Sequence, residues 1–247
     1  MLRFFVSPDR LQSDEINLPE EVFHHLRVVL RRSQGEEILL LDGLGGVCRC
    51  RVDVLGKKGG TAKILERWQE VETAFPVYLL QGLPKGDKLD LVLQKGTELG
   101  IGAFTPVISA RSVPVRDAER EDRRVQRWQK IIQEAARQCR RSHLPRLHAA
   151  QSLEDTLASC RADLKLMLWE EESRPLNEVL SGQSPRDVAV LVGPEGGFTA
   201  DEAASARRFG FVPVRCGPRI LRSETAGFAV AAVLQYLYGD LGRGGDL

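Results

Sequence analysis

What this 247-residue chain lacks bounds its reading before any motif does. Cysteine is scarce and odd in number. There are five, only Cys48 and Cys50 lie close together, and C-x-C is the spacing of neither a zinc knuckle nor a thioredoxin motif. All five are read as reduced thiols, which fits a cytoplasmic protein. Long apolar runs are missing. The longest, around Phe228–Leu234, falls far short of the roughly 20 residues that cross a bilayer, so no membrane partner is expected. The opening MLRFFVSPDR has neither an apolar h-region nor a small-residue cleavage site, so no secretory signal is read there. A surplus of one charge is missing too. The 35 basic and 34 acidic residues leave +1, which says nothing globally about nucleic acid.

Absent motifs exclude several chemistries. No G-x-x-x-x-G-K-[ST] loop is present to cradle nucleotide phosphates, which disfavours a nucleotide-hydrolysing switch. No G-x-G-x-x-G follows a first strand, against a dinucleotide or ordinary Rossmann-type site. The histidines His24, His25, His143 and His148 show no H-E-x-x-H spacing, and no G-x-S-x-G elbow appears. Metal and serine hydrolase readings have nothing to stand on, and no metal is expected.

What is present is an ordinary globular composition, 43% hydrophobic and 28% charged, enough to bury a core in one or two domains. Residues 1–72 read as a small β-rich unit. A short helix is expected over Pro19–Leu30. Glu37–Leu41 and Val47–Leu55 flank a Gly-rich turn as a hairpin, and a strand over Thr61–Leu65 follows. Short strands with tight turns favour a small barrel. After a linker near Glu70–Pro76, strands alternate with helices. Strands are expected at Val77–Leu80, Ala103–Ile108, Leu164–Trp169, Val188–Val192 and Phe211–Arg215. Helices are expected over Lys88–Leu99 and Glu119–Arg141, from Thr199 with Glu202 closing a capping box, and over Thr225–Tyr238. The Gly-rich tail after Gly239 reads as frayed. This alternation implies a mostly parallel sheet covered on both faces, with ligands outside the carboxyl ends of its strands.

Two strand exits stand out. GPEGG at Gly193–Gly197 allows positive φ and close backbone approach, although glycines also simply turn a chain. Glu195 in that turn has no obvious core role. The second exit, Cys216–Thr225, places Ile220 and Leu221 among Pro218, Arg219, Arg222 and Glu224. The apolar pair packs either on a flat ring such as adenine or into the core, and the charges either act or form a solvated run. Basic residues cluster twice. Arg27, Arg31 and Arg32 follow His24 and His25, as helix-end cations or as phosphate contacts. Residues 116–146 hold ten basic and five acidic side chains.

Taken in order, HHLRVVLR (24–31), KGDK (85–88), QKGTELG (94–100), RWQK (127–130) with EAA (134–136), GPEGG (193–197) and RILRSETA (219–226) resemble the RsmE family across nearly the whole chain. These are SPOUT-class methyltransferases acting on N3 of a uracil in 16S ribosomal RNA. The resemblance implies an N-terminal PUA-like barrel (1–72) and a SPOUT α/β domain (73–247) with a trefoil knot near 188–238, an exception to the rule that chains do not thread loops. It implies S-adenosylmethionine (SAM) as methyl donor, a homodimer, and 16S rRNA, within the 30S subunit, as partner. Cofactor contacts would come from Leu168, Gly193, Glu195, Gly196, Gly197, Cys216, Gly217, Arg219, Ile220, Leu221 and Thr225. Cys216 stands where the family usually has leucine, a modest volume change beside the pocket.

Uracil N3 is a poor nucleophile until it loses its proton, so the site needs a base and a stabiliser of the anion. Glu224 is the first candidate for the base or its orienting partner, Glu195 the second, and Arg222 the stabiliser. Gln94, Glu98 and Arg111 would line the same cleft. Arg123, Arg124, Arg137, Arg140 and Arg141, with Arg27, Arg31 and Arg32, would steer RNA. The rivals are a SPOUT enzyme acting on a ribose 2′-hydroxyl or on tRNA, and a non-catalytic RNA-binding protein.

Overall fold

A computed structural model describes residues 1–57, 59–112 and 118–243. Residues 116–117 of the basic window and 244–247 of the tail lie outside the described residues. The chain forms two compact units, Met1–Glu72 with Ala136–Leu144, and Thr73–Ala135 with Pro145–Leu247.

The first unit carries a five-stranded sheet of order β1 (Leu2–Phe5), β3 (Glu37–Leu41), β4 (Gly46–Leu55), β5 (Gly60–Gln69) and β2 (Glu15–Asn17). β1 joins β3 in parallel, and the other neighbours are antiparallel. The β3–β4 hairpin turns where expected. Asp42 Oδ1 accepts from the amides of Leu44 (2.6 Å) and Gly46 (2.8 Å), while Gly43 and Gly45 take positive φ. Ile38, Leu40, Cys50, Val52 and Ala62 alternate inward to make the core, with Leu26 packed on them. The helix expected over Pro19–Leu30 is two pieces. α1 (Glu20–His24) widens into a π-type turn at His25–Val29 before Arg31, at φ 51°, breaks it.

The second unit is built on a parallel sheet of order β11 (Arg174–Pro175), β13 (Val212–Arg215), β10 (Leu164–Leu168), β12 (Val188–Val192), β6 (Val77–Gly82), β7 (Ala103–Ile108) and β8 (Arg146–Leu147), with β9 (Gln151–Ser152) also on β7. All five residues of β12 are buried, as a strand covered on both faces requires. On one face α4 (Leu153–Ser159) and α6 (Ala200–Arg208) pack through Leu153, Leu157, Ala203 and Ala206 onto Leu80, Met167 and Leu191. The capping box at Thr199 and Glu202 is formed on both sides. α7 (Ser223–Tyr238) packs on β6, β12 and α2 (Lys88–Glu98). Gly227 lets it approach closely, since a Cβ there would meet Leu79 at 2.9 Å. Buried Gln235 pins α7 by accepting from the Phe75 amide (2.9 Å) and donating to the carbonyls of Phe75 (2.8 Å) and Gly100 (3.1 Å). α3 (Ala118–Cys139) runs through both units. No helix among the described residues is long and apolar enough to cross a membrane.

One expectation needs correcting. Glu224, read as a loop residue, sits on the first turn of α7, which begins two residues earlier than expected. Arg222 is its N-cap, and a carboxylate in a first turn is favoured by the helix dipole.

Candidate active site

The carboxyl ends of β6, β10, β12 and β13 open on one side of the sheet, where the exits of β12 and β13 meet the first turns of α2 and α7. There a cleft of about 1500 Å³ is lined by both unusual exits, Gly193–Phe198 and Cys216–Glu224. Close packing shapes its floor. Gly82, ending β6, has no room for a side chain, because a Cβ would lie 2.6 Å from the Pro194 nitrogen and 2.9 Å from the Gly193 carbonyl carbon. The Pro194–Gly197 turn closes through Gly197 N–H to Pro194 O at 2.9 Å, with Gly197 at φ 66°. Arg111 donates to the Gly196 carbonyl and packs on that glycine. Ser223 donates to the Gly193 carbonyl (2.5 Å) and accepts from Gln81 Nε2 (2.9 Å), so a buried polar relay ties the β12 exit to α7.

Charge concentrates at one corner. The Glu195 carboxylate accepts from the Lys85 amide (3.1 and 3.2 Å) and pairs with Lys88 Nζ at 2.8 Å. Lys88 Nζ also lies 3.7 Å from Glu224 Oε2, and Arg222 Nη1 lies 3.9 Å from Glu224 Oε1. Burial pushes the Glu195 carboxyl up, but the Lys88 ammonium and the backbone amides of Glu195 and Lys85 outweigh it, leaving the group below its ordinary range. Lys88 is raised, first by its hydrogen bond to Glu195. Glu224 is 8% exposed, and its Oε2 has no hydrogen-bond donor. A buried acceptor without a donor is costly unless a neighbouring charge balances it.

Leu168, Cys216, Gly217, Arg219, Ile220 and Leu221 all join the lining, as do Glu195, Arg222 and Glu224. Ile220 is 80% exposed, so it does not plug the core. Gly217, at φ 84°, has open space where a Cβ would stand. Burial raises the Cys216 thiol. Thr225 is not in the lining. Its amide caps the turn at the Arg222 carbonyl. The lining includes Arg111 but neither Gln94 nor Glu98. Gln94 is exposed and Glu98 pairs with Lys95 at 3.0 Å.

The basic residues divide. Arg31, Arg123 and Arg140 are exposed. Arg32 pairs with Glu36 at 3.4 Å, and Arg27 donates to the Gly56 carbonyl. Arg124 pairs with Glu121 at 2.5 Å and lies over Trp128. Arg137 sits over Phe4, and Arg141, with its side chain 12% exposed, holds Glu72 at 2.6 Å.

A large apolar-and-charged cleft at strand ends, entered by glycine-rich exits, is a small-molecule site. The chain's sequence matches a model of an RNA methyltransferase domain over residues 71–235 and of an RNA methyltransferase PUA domain over 18–65. It is 33% identical to ribosomal RNA small subunit methyltransferase E of Bacillus subtilis, covering 96% of both chains. The chain belongs to the ribosomal RNA small subunit methyltransferase E family. The like-named protein of Mycobacterium tuberculosis is 34% identical over 82% of this chain and 79% of its own. Two solved structures with SAM bound match the fold. One is a ribosomal RNA small subunit methyltransferase E of Neisseria gonorrhoeae, with TM-score 0.87, 33% identity and coverage of 97% and 99%. The other comes from Legionella pneumophila, with TM-score 0.89, 32% identity and coverage of 97% and 99%. The family assignment thus identifies a PUA-like N-terminal domain and a parallel-sheet methyltransferase domain.

The cleft fits such a donor on its own terms. Its volume exceeds the roughly 300–1,000 Å³ of a typical small-molecule site, leaving room for a second ligand. The lining carries charges of both signs, with Glu170 and Glu171 suited to a donor's cationic groups and Arg215 and Arg219 to its carboxylate, and exposed Ile220 offers an apolar face. Sequence reading gave Lys88 no role beyond its place in the KGDK motif, and passed over Trp169, Glu170 and Glu171. The signal for the last three was present, because WEE directly follows a strand, where sites are built. The motif gave Lys88 no role, since its partners are distant in sequence.

Proposed function

We propose that this chain methylates N3 of one specific uridine of 16S rRNA, with SAM as donor, during maturation of the 30S subunit. The observation that carries this reading is the near full-length likeness to a SAM-bound ribosomal RNA small subunit methyltransferase E. Bound SAM supplies a methyl group already activated on a sulfonium. The protein's tasks are to hold the acceptor in line and to remove its proton.

Leu168, Gly193, Gly196, Gly197, Cys216, Gly217, Arg219, Ile220 and Leu221 hold the donor, with Thr225 in the turn beneath. Glu224 takes the N3 proton, and Glu195 is the second candidate. The Arg222 guanidinium faces the charge left on the uracil. The base leaves its stack to enter the cleft. Arg111 flanks its approach. Arg31 and Arg140 contact phosphates first, with Arg123, Arg27, Arg32, Arg124, Arg137 and Arg141 contributing as their internal partners allow.

The domain boundary is placed at 72/73, the first unit's sheet is read as a barrel, and 188–238 as a knot. What supports the knot is that β13 lies beyond β10 while α7 returns over β12 and β6. A homodimer is supported by the exposed Val233, Tyr236 and Leu237 on α7, and a cytoplasmic location by the rRNA methyltransferase relatives. The test is transfer of labelled methyl to 30S particles and to naked 16S RNA. N3-methyluridine is expected, and a 2′-O-methylated nucleoside refutes the reading. Full turnover by Glu224→Gln with intact SAM binding removes Glu224 as base.

A further inference from the structure

We propose that Lys88 is the positioning residue of this site, a single ammonium that holds the two cleft carboxylates Glu195 and Glu224 in their acceptor state. The inference rests on the reading of Glu224 as the proton acceptor and deepens it. Three observations carry it. Lys88 Nζ reaches both carboxylates, at 2.8 Å to Glu195 Oε1 and 3.7 Å to Glu224 Oε2. The second distance is ionic rather than a hydrogen bond, so Glu224 Oε2, buried and without a hydrogen-bond donor, has Lys88 as its nearest cation. Glu224 is nine-tenths buried, where an isolated charge is costly, yet its other cation, Arg222, is farther away, with its side chain 83% exposed and well screened.

The arrangement also explains why three elements meet there. Lys88 stands on the first turn of α2, Glu195 on the β12 exit and Glu224 on the first turn of α7. Two carboxylates facing one cleft repel each other and resist both being ionised. Lys88 binds both and removes that conflict. Among the described residues, the charged groups paired around Glu224 are Lys88 from α2, with Glu195 from the β12 exit bound to it, and Arg222 before α7, while Arg219 lines the same cleft. Arg111 lines the same cleft from beyond β7. Raised by its bond to Glu195, Lys88 stays cationic throughout the neutral range.

The experiment is the pH dependence of kcat/KM for methyl transfer to 30S particles by wild type, K88M and K88R, with calorimetric SAM binding and circular dichroism on each. The acid limb of the K88M profile is expected to move up, the direction in which loss of a neighbouring cation moves an acidic group. K88R is expected to restore the limb. Adding E195Q to K88M is expected to move it part of the way back, because one of the two repelling carboxylates has gone. A K88M profile lowered equally at every pH, a K88R profile like that of K88M, or a limb unmoved by E195Q overturns the proposal and leaves Lys88 as a structural tie. E224Q, assayed alongside, separates the two ideas. If E224Q turns over fully, the reading of Glu224 fails. If E224Q is inactive and the K88M limb stays in place, the Lys88 proposal alone fails.

Discussion

Ser223→Ala tests the relay that couples the two halves of the cleft. Ser223 is 9% exposed and Gln81 1%. The serine hydroxyl donates to the Gly193 carbonyl at 2.5 Å and accepts from Gln81 Nε2 at 2.9 Å. Removing it strips a buried acceptor and a buried donor together. The Gln81 amide keeps only a 3.3 Å contact to the Gly82 carbonyl, and its Oε1 already lacks a partner. An unsatisfied buried group costs about 1–3 kcal/mol, so S223A is expected to lose about 2–3 kcal/mol of stability. Gln81→Leu keeps the Ser223–Gly193 bond and removes an imperfectly satisfied amide, so it is expected to cost about 1 kcal/mol or less. In the double variant the stranded Gln81 donor no longer exists. Its cost should fall short of the sum of the single variants by about 1 kcal/mol. Urea unfolding gives the four free energies, and calorimetry gives SAM affinity, which should fall in S223A because Gly193 is part of the donor loop. A stability for S223A within about 0.5 kcal/mol of wild type, or strict additivity, refutes the relay as a coupled unit.

Ile220→Asp should weaken SAM binding by about tenfold without moving the melting temperature, because an 80% exposed side chain contributes little to folding and can gain burial only against a ligand; unchanged calorimetric affinity contradicts this. RNA affinity should fall with added salt, and alanine at Arg31 and Arg140 should each reduce the log–log slope by about one, read by filter binding; an unchanged slope removes them from the interface. The Glu195–Lys88 pair sets a pH trend. A carboxyl held below its ordinary value of 4.5 adds stability that is present above that value and lost as pH falls through the folded-state value. E195Q should therefore narrow the gap in melting temperature between neutral and acid pH, and an equal gap in both proteins contradicts the assignment.

Local chemistry made much of the fold legible. The Thr199–Glu202 capping box, the Asp42–Gly46 turn and the apolar run of β12 are decided by residues within a few positions of one another, and each lies where the spacing implied. β1 was not legible, because its partner β3 is more than 30 residues away and four apolar residues carry no sign of parallel pairing. Nor were β11, α4 and the short helix α5 (Leu176–Leu180), which are too short for periodicity to speak. The site showed the same division. The two glycine-bearing exits announce themselves by composition. Lys88 becomes part of the site only because α2 begins beside two carboxylates more than 100 residues away. The basic segment shows the limit of counting charge. Arg137 and Arg141 add to its total in sequence, yet in the fold they are occupied by Phe4 and Glu72.

The central claim is that the exits of β12 and β13 hold SAM against one extruded uracil of the small ribosomal subunit. The most direct test is to incubate the protein with labelled SAM and 30S particles, digest the RNA to nucleosides, and identify the labelled product by mass spectrometry. The account predicts N3-methyluridine from a single site in 16S rRNA. Label on a ribose hydroxyl or on tRNA, or no transfer by folded protein that binds no SAM, would contradict it.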